Sequence, residues 1–493
     1  YNVIITVWAG TTDTTYEPIP DICQDSMTLY FVASIDPEAY WIDSYAYRNN
    51  HMAVDPPTIG VATFDAVDEL GYPYDPSGLP TYGEADFLTT KPIDLSNTTD
   101  SVYLSFFYEP QGLGDSPEGE DSLVLEFWAP DSAKWFWRWS AVGTMLDSFH
   151  YVHLPIVEPQ YLDTAFKFRF KNYATQSGML DHWHVDYVFL DDLRFYDDTI
   201  MQDFAFQYPS RGLIEEYTSM PWKHFKWNPA SYMKTVDSVM AYNGSNDPKF
   251  IGPGRLTIDY QGAVQGDFPY TVTTPNVNGF SEFDMVYEVN SAPNNFVFND
   301  ALHDTCATFI VTEALSTTTL PELLTENDTI RYQQDFMNYY AYDDGTAEQG
   351  YGIAVAGGMV AYQFEVAQQD TLGHILMHWA PAAPLGSQET FWLTVWDDNN
   401  GQPGNVIHQS DDLPYHKPTY VDGPNGFGAY FFDNDDKPIV NGTYYIGWVQ
   451  QDDDIINIGF DRNTNRQDRI FFNAGTGWIN TSFEGALMMR PVF

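Results

Sequence analysis

The chain has 493 residues, of which 44% are hydrophobic and 17% aromatic, so it has enough apolar material for several folded cores. Its 21 basic and 69 acidic residues give a formal net charge of −48. A surface this negative repels nucleic-acid phosphates and anionic lipid, and no run of about eighteen uncharged apolar residues is present to span a bilayer. Composition therefore argues against nucleic-acid and membrane binding, and the length predicts about three domains.

Strand signals dominate the chain. Helical periodicity is confined to two short pieces, 213–220 and 320–325. Strands without long intervening helices indicate antiparallel sandwiches, so the predicted class is an all-β, multidomain protein. Alternating aromatic and β-branched residues between turn residues predict strands, in chain order, over 28–35, 101–108, 122–128, 165–170, 255–260, 391–396, 442–450 and 469–473.

Composition shifts divide the chain into four regions. Residues 1–50 are predicted to be N-terminal strands that belong to, or brace, an Ig-like module. A self-contained sandwich follows over 51–200, and 201–335 combine a linker with an Ig-like module. A C-terminal β-sandwich is predicted over 336–493.

Three tryptophans alternate along one predicted strand. Trp135, Trp137 and Trp139 fall on the same strand face if the alternation is regular. Three indoles on one exposed face would form a sugar-binding platform, since apolar sugar faces stack on aromatic rings. The alternative is that the three side chains fill the sandwich core, with Phe136 and Arg138 facing outward.

Polar side chains also alternate in the segment that begins at Asp181. On a strand, His182, His184 and Asp186 share one face while Trp183 and Val185 point into the core. A His-x-His-x-Asp face has the donor types that zinc or another divalent ion takes. The alternative is a polar face that lines a groove and holds no metal.

Acidic loops suggest a second kind of metal site. Clustered carboxylate and amide oxygens at loop tips are what Ca²⁺ requires, so structural Ca²⁺ is a candidate cofactor at Asp397, Asn399, Asp433 and Asp435. The only two cysteines, Cys23 and Cys306, either form one disulfide or remain two separate thiols.

No catalytic motif stands out in the sequence. Serine-hydrolase, zinc-protease and phosphate-loop signatures are absent. Asp284 and Glu288 lie on one predicted strand, but their spacing fits poorly with two carboxylates that flank a glycosidic bond. The sequence therefore predicts a protein that is not an enzyme, and a secreted hydrolase remains an alternative.

One tripeptide, Asp followed by Ser or Thr and then Ala, Ile, Leu, Val or Met, recurs more often than composition predicts. It resembles the O-glycosylation acceptor of Bacteroidota, so the resemblance implies sugar attachment at the hydroxyl residue. A turn that leads into a strand is the alternative explanation. The candidate hydroxyl residues are Ser26, Ser101, Ser122, Ser132, Thr164, Thr199, Ser238, Thr329 and Thr371.

Longer segments carry a further resemblance. Residues 84–95, 166–173 and 181–188 are similar to strands of MAM-like jelly rolls. Residues 396–406, 444–448 and 488–493 resemble a β-sandwich that precedes sorting domains in surface proteins exported by the Bacteroidota type IX secretion system. The resemblance implies a MAM-like jelly roll, an Ig-like module and a second sandwich, displayed outside the cell after contact with the export machinery.

Together these features predict a non-catalytic, secreted or cell-surface adhesion protein that binds a glycan or a protein. A structural or accessory component of the type IX secretion or gliding machinery is the first alternative. A secreted glycan or protein hydrolase is the second.

Overall fold

The protein is almost entirely β, which confirms the predicted fold class. In the described part of the chain, the α-helices are the single turns α1 (Trp222–Phe225) and α2 (Pro229–Tyr232). No helix there has the length and apolarity needed to cross a bilayer. The computed structural model describes residues 40–43, 45–78, 81–98, 101–252, 254–270, 276–302, 305–317, 324–432 and 436–493.

Nine strands form the first sandwich. One sheet has the order β1-β2-β9-β4-β7, and the sheet that faces it has the order β3-β8-β5-β6, with antiparallel pairing throughout. The strands are β1 (Tyr47–Asn49), β2 (Val61–Phe64), β3 (Tyr82–Thr89), β4 (Tyr103–Pro110), β5 (Ser122–Ala129), β6 (Lys134–Val142), β7 (His150–Pro155), β8 (Lys167–Thr175) and β9 (Trp183–Asp191).

Strand β5 shows how the sequence builds this sandwich. Leu123, Leu125 and Phe127 are fully buried between the two sheets, while the alternating Glu126 and Trp128 face away from the core. This period of two is the geometric signature of a strand that has one face on a core. The apolar members of such alternating strands form one continuous hydrophobic core between the sheets.

The described part of the N-terminal region belongs to this first sandwich. Tyr47–Asn49 pairs with β2, and Trp41 packs in the same core, edge-on to Phe168 at 6.0 Å. The sequence analysis assigned residues 1–50 to strands that belong to, or brace, an Ig-like module; residues 40–43 and 45–50 are the described part, and they contact the first sandwich. The short edge strand forms its backbone hydrogen bonds with the next strand in the chain, and the indole of Trp41 is buried in the core of the same sandwich.

The second sandwich packs a three-stranded sheet, β10-β11-β16, against a four-stranded sheet, β14-β13-β17-β18. Instead of the helix predicted over 213–220, the chain makes isolated bridges from Ile214 to Met233 and from Ser219 to Ala341. The strands are β10 (Phe204–Phe206), β11 (Val236–Asn243), β12 (Lys249–Phe250), β13 (Arg255–Tyr260), β14 (Ala263–Pro269), β15 (Asn276–Val277), β16 (Ser281–Glu288), β17 (Ala307–Ala314) and β18 (Thr329–Phe336).

The third sandwich contains a six-stranded sheet, β23-β22-β25-β20-β27-β28, and two three-stranded sheets, β24-β21-β30 and β19-β26-β29. Its strands are β19 (Gln349–Tyr351), β20 (Met359–Thr371), β21 (His374–Met377), β22 (Phe391–Asp398), β23 (Pro403–Gln409), β24 (Gly428–Phe431), β25 (Ile439–Gln450), β26 (Ile458–Asp461), β27 (Ile470–Asn473), β28 (Ile479–Asn480), β29 (Ala486–Leu487) and β30 (Met489–Val492).

The three sandwiches contact one another. The second and third share one hydrophobic core, and the first contacts the third through polar groups. His51 Nδ1 lies 3.0 Å from a carboxylate oxygen of Asp344, and Gln349 donates to Asp115 Oδ1 at 2.6 Å. All three sandwiches line a cavity of about 1190 Å³, whose wall includes Asp343 and Arg490.

Candidate ligand-binding site

A bulge in the β5–β6 hairpin decides where the three tryptophans point. Trp137 lies opposite Glu126 and Trp139 opposite Leu125, so the intervening Arg138 has no counterpart on β5. One extra residue in a strand shifts the alternation of faces by one position. Trp135 and Trp137 therefore face outward, whereas Trp139 faces the core.

The contacts of the side chains agree with this shift. Trp139 packs edge-on against Phe106 at 5.1 Å and against Tyr108 at 4.7 Å between ring centroids. The Arg138 guanidinium lies over the Phe127 ring at 5.3 Å and donates to Glu158 at 2.6 Å. The three tryptophans therefore do not share one face, because half-buried Trp139 packs against the core while the other two rings point away from it.

The outward side of the four-stranded sheet carries aromatic and cationic side chains in rows. Trp128 and Trp135 lie opposite each other with ring centroids 5.3 Å apart, and Trp137 is 65% exposed. We call this surface the outer face. Two rows of side chains cross it from β6 through β5 to β8: the first is Trp135, Trp128 and Lys167, and the second is Trp137, Glu126 and Arg169. Lys171 and Phe87 form a pair beside the second row.

Cations hold the rings of the outer face in place. Lys167 Nζ lies 4.8 Å from the Trp128 ring centroid and 5.4 Å from that of Trp135. The Arg169 guanidinium lies 4.3 Å from the Trp135 centroid and donates to Glu126 at 2.7 Å. These cation–π and ion-pair contacts restrict the orientations of the Trp128 and Trp135 rings.

Lys171 is a buried cation beside these rows and pairs with two carboxylates. Its Nζ lies 2.6 Å from Glu84 and 3.1 Å from Glu126. Burial lowers the pKa of Lys171, but the two carboxylates outweigh that effect and raise it overall. The hydrogen bond from Lys171 in turn lowers the pKa of Glu84. These two side chains thus stay charged and ordered at neutral pH.

The row of His182, His184 and Asp186 is fully buried. His184 Nδ1 lies 2.9 Å from the Thr63 hydroxyl and Nε2 lies 3.2 Å from the Gln111 carbonyl. Asp186 accepts hydrogen bonds from the backbone and hydroxyl of Thr58. His184 and Asp186 are thus engaged with neighbouring segments of the chain, whereas the buried His182 Nε2 has no hydrogen-bond partner among the described residues. The row does not present three free ligands on one surface.

Two glycines allow a loop to close over these histidines. A Cβ at Gly112 would lie 2.2 Å from His184 Nε2, and one at Gly114 would lie 2.4 Å from His182 Nδ1. Burial lowers the pKa of His182 to about 4 and that of His184 to about 3, so both rings are neutral.

Glu109, which lies opposite His184 on the neighbouring strand, leads to a pH prediction. It is buried and accepts a hydrogen bond from Val54 N at 3.0 Å, and burial raises its pKa from 4.5 to about 8. Ionisation therefore costs more in the folded than in the unfolded chain, at about 1.4 kcal/mol per pKa unit. The contribution of Glu109 to folding stability is complete at a pH below its pKa in the unfolded chain. It is lost as the pH rises through its pKa in the folded chain.

We expect Glu109→Gln to be more stable than the parent at about pH 9 and equal to it at about pH 4. Urea unfolding at both pH values measures the difference. The exposed Glu282→Gln is the control and should show no such pH dependence. A Glu109→Gln variant that is less stable at high pH would contradict the assignment.

The remaining predicted metal ligands have different positions. Asp397 accepts hydrogen bonds from the backbone N–H and the side-chain amide of Asn405, at 2.6 and 3.1 Å, and so closes a turn. Asn399 lies at the exposed tip of this turn. Asp433 and Asp435 lie outside the described residues. Cys306 is disulfide-bonded, and Cys23 lies outside the described residues.

The structure brings together three carboxylates that sequence reasoning did not group. Glu118, Asp121 and Asp181 each place one oxygen within 4.8 Å of the other two. Burial, together with the neighbouring carboxylates, raises the pKa of Asp121 to about 6 and that of Asp181 to about 7. About sixty residues separate Asp121 from Asp181 along the chain, so spacing alone contained no signal for this contact.

The candidate glycosylation residues differ in exposure. Ser26 lies outside the described residues, and none of the others is fully buried. Ser132, Thr164, Thr199, Ser238 and Thr371 are exposed, whereas Ser101, Ser122 and Thr329 are half-buried. Asp284 is exposed and Glu288 half-buried on β16, an open strand face.

No family model matches the chain, and no curated protein matches it. Among solved structures, it is similar to the glycoside hydrolase domain of Endo-D from Streptococcus pneumoniae R6, at 8% identity and a TM-score of 0.19. The similarity covers 60% of this chain and only 36% of that chain. A TM-score this low carries no argument about fold or function.

Proposed function

We propose that the protein is a non-catalytic adhesion protein that binds glycans on the outer face of its first sandwich. The observation that carries this proposal is the pair Trp135 and Trp137, which face outward on one strand beside Trp128. Trp137 is exposed and Trp135 is half-buried, and indole rings stack on the apolar faces of sugar rings.

The cations on this face favour a glycan that carries carboxylate or sulfate groups. Lys167, Arg169 and Lys171 alternate on β8 and so project toward the same side, in a chain whose net charge is −48. Glu84 and Glu126 neutralise Arg169 and Lys171. Lys167 has no ion pair with a carboxylate of a described residue, and it lies over the two tryptophan rings. An acidic sugar stacked on these rings would reach its ammonium group.

The cellular setting is part of the same proposal. We propose display on the cell surface of a Bacteroidota organism after export through the type IX secretion system. The acceptor-like tripeptides support this setting, because most of their described hydroxyl groups are accessible to a modifying enzyme.

Binding to an array of neutral and acidic glycans tests the proposal, followed by calorimetric titration of the best ligand. We expect Trp135→Ala and Trp137→Ala each to lower affinity by about tenfold, which corresponds to about 1.4 kcal/mol of lost stacking. Lys167→Met should weaken the binding of acidic glycans more than that of neutral glycans, and added salt should have the same selective effect.

Tyr196→Ala is the matched control, since Tyr196 is an exposed aromatic residue of the same sandwich, 80% accessible, away from the outer face. It should leave binding unchanged. If no glycan binds, or if the three outer-face variants all bind as the parent does, the proposal is wrong. Co-purification of the native protein with export components would then favour an accessory role in the secretion machinery.

A further inference from the structure

The carboxylates of Glu118, Asp121 and Asp181 lie where the loop before β5 meets the start of β9. Backbone hydrogen bonds hold them there: Glu118 N donates to Asp121 Oδ2 at 2.7 Å, and Thr175 N donates to Asp181 Oδ2 at 2.7 Å. Asp121 N also donates to the Glu118 carbonyl at 3.0 Å. Main-chain hydrogen bonds thus hold the carboxylates of Asp121 and Asp181, and one oxygen of Glu118 lies within 4.8 Å of one oxygen of each.

One oxygen of this cluster is left without a partner. Asp181 is fully buried, and its Oδ1 accepts no hydrogen bond. Asp121 is 2% exposed, and the charged groups that act on both buried aspartates are the other carboxylates of the cluster. A buried, unpaired carboxylate oxygen beside two further carboxylates is costly in free energy, and a bound cation relieves that cost.

We propose that Glu118, Asp121 and Asp181 bind one calcium ion. Three carboxylates and no nitrogen or sulfur donor make a hard-cation site, which suits Ca²⁺ rather than zinc. Glu118 is exposed, so an ion can reach the buried pair from solvent. Backbone carbonyls and water would complete the six to eight oxygen ligands that Ca²⁺ takes.

The ion would tie a loop that joins two sandwiches. Asp115, on the same loop, donates its backbone N–H to His182 Nδ1 at 3.1 Å and accepts from Gln349 of the third sandwich at 2.6 Å. Calcium would hold this loop against the start of β9, and through Asp115 against the third sandwich. Loss of the ion should therefore loosen that contact between sandwiches as well as the loop itself.

Calcium titration of chelator-treated protein tests the site, with heat of binding, melting temperature and Tb³⁺ luminescence as readouts. We expect Ca²⁺ to bind at one site and to raise the melting temperature. Asp181→Asn keeps an oxygen acceptor for Thr175 N but removes a charge. Without Ca²⁺ it should melt at or above the parent temperature, and it should lose the response to Ca²⁺ and Tb³⁺.

Glu118→Gln provides a second variant, because an exposed side chain is replaced without disturbing packing, and its calcium affinity should fall about tenfold or more. Glu389→Gln with Asp452→Asn alters the other, more exposed acidic group on the third sandwich and is the control. The proposal is overturned if the parent shows no binding heat and no shift, or if Asp181→Asn responds to Ca²⁺ as the parent does. A melting temperature that ignores Ca²⁺ but rises as the pH falls would overturn it too, since the carboxylates would then share a proton.

Discussion

Replacing Arg490 with methionine is expected to lower the free energy of unfolding by about 3–5 kcal/mol. Arg490 and Asp343 form an ion pair in which both side chains are buried, with Arg490 Nε 3.2 Å from Asp343 Oδ2. The guanidinium also lies 4.1 Å from the Phe427 ring centroid. Methionine fills most of the volume but leaves the Asp343 carboxylate without a counter-charge in the protein interior, and that uncompensated charge causes the loss.

Two further variants separate charge from packing. Asp343→Leu combined with Arg490→Met should recover most of the lost stability, because the double variant removes both charges of the pair. Arg255→Met breaks an exposed pair with Asp267 and should cause no measurable change. Denaturant unfolding of all three measures these values. If Arg490→Met proved as harmless as Arg255→Met, the buried ion pair would not contribute to stability as expected.

The second large effect distinguishes two neighbouring tryptophans. Trp139→Ala should cost about 2 kcal/mol, because this half-buried ring packs against Phe106 and Tyr108 at the first core. Trp137→Ala should change stability by less than about 0.5 kcal/mol, since its ring is exposed.

Because both variants remove the same side chain two positions apart, each is the other's control. Thermal and denaturant unfolding measure the difference in stability, and glycan titration of the same samples should show the reverse order of importance. Equal destabilisation by the two changes would mean that the strand alternates regularly and that Arg138 is not the bulged residue.

Much of the strand content could be predicted, because the period-two pattern is local. The predicted strand over 255–260 coincides with β13, and those over 122–128 and 391–396 fall inside β5 and β22. The strand predicted over 28–35 lies outside the described residues. The helix predicted over 213–220 was wrong because its apolar residues, such as Leu213 and Met220, pack into the core shared by the second and third sandwiches. Tertiary burial outweighs a weak helical pattern.

The candidate sites could be predicted only in part. Trp135 and Trp137 were recognisable from alternation, but the bulge that separates them from Trp139 depends on how β6 pairs with β5. The histidine row was visible in the sequence. The glycines of the loop that covers it lie about seventy positions earlier in the chain, so their contact with the histidines was not. The tripeptide that begins at Asp121 matched an acceptor pattern, whereas its contact with Asp181 suggests a structural reason for that aspartate.

The sequence by itself determined the all-β class, the strong negative charge and the absence of recognisable catalytic motifs, because these follow from composition and short-range periodicity. Tertiary structure alone decided which alternating side chains reach solvent, which carboxylates meet, and that Asp343, near the start of the third sandwich, pairs with Arg490 near its end. The physical reason is that sheet register and loop closure join residues distant in the chain. The free energy of a buried charge or an exposed ring depends on those neighbours.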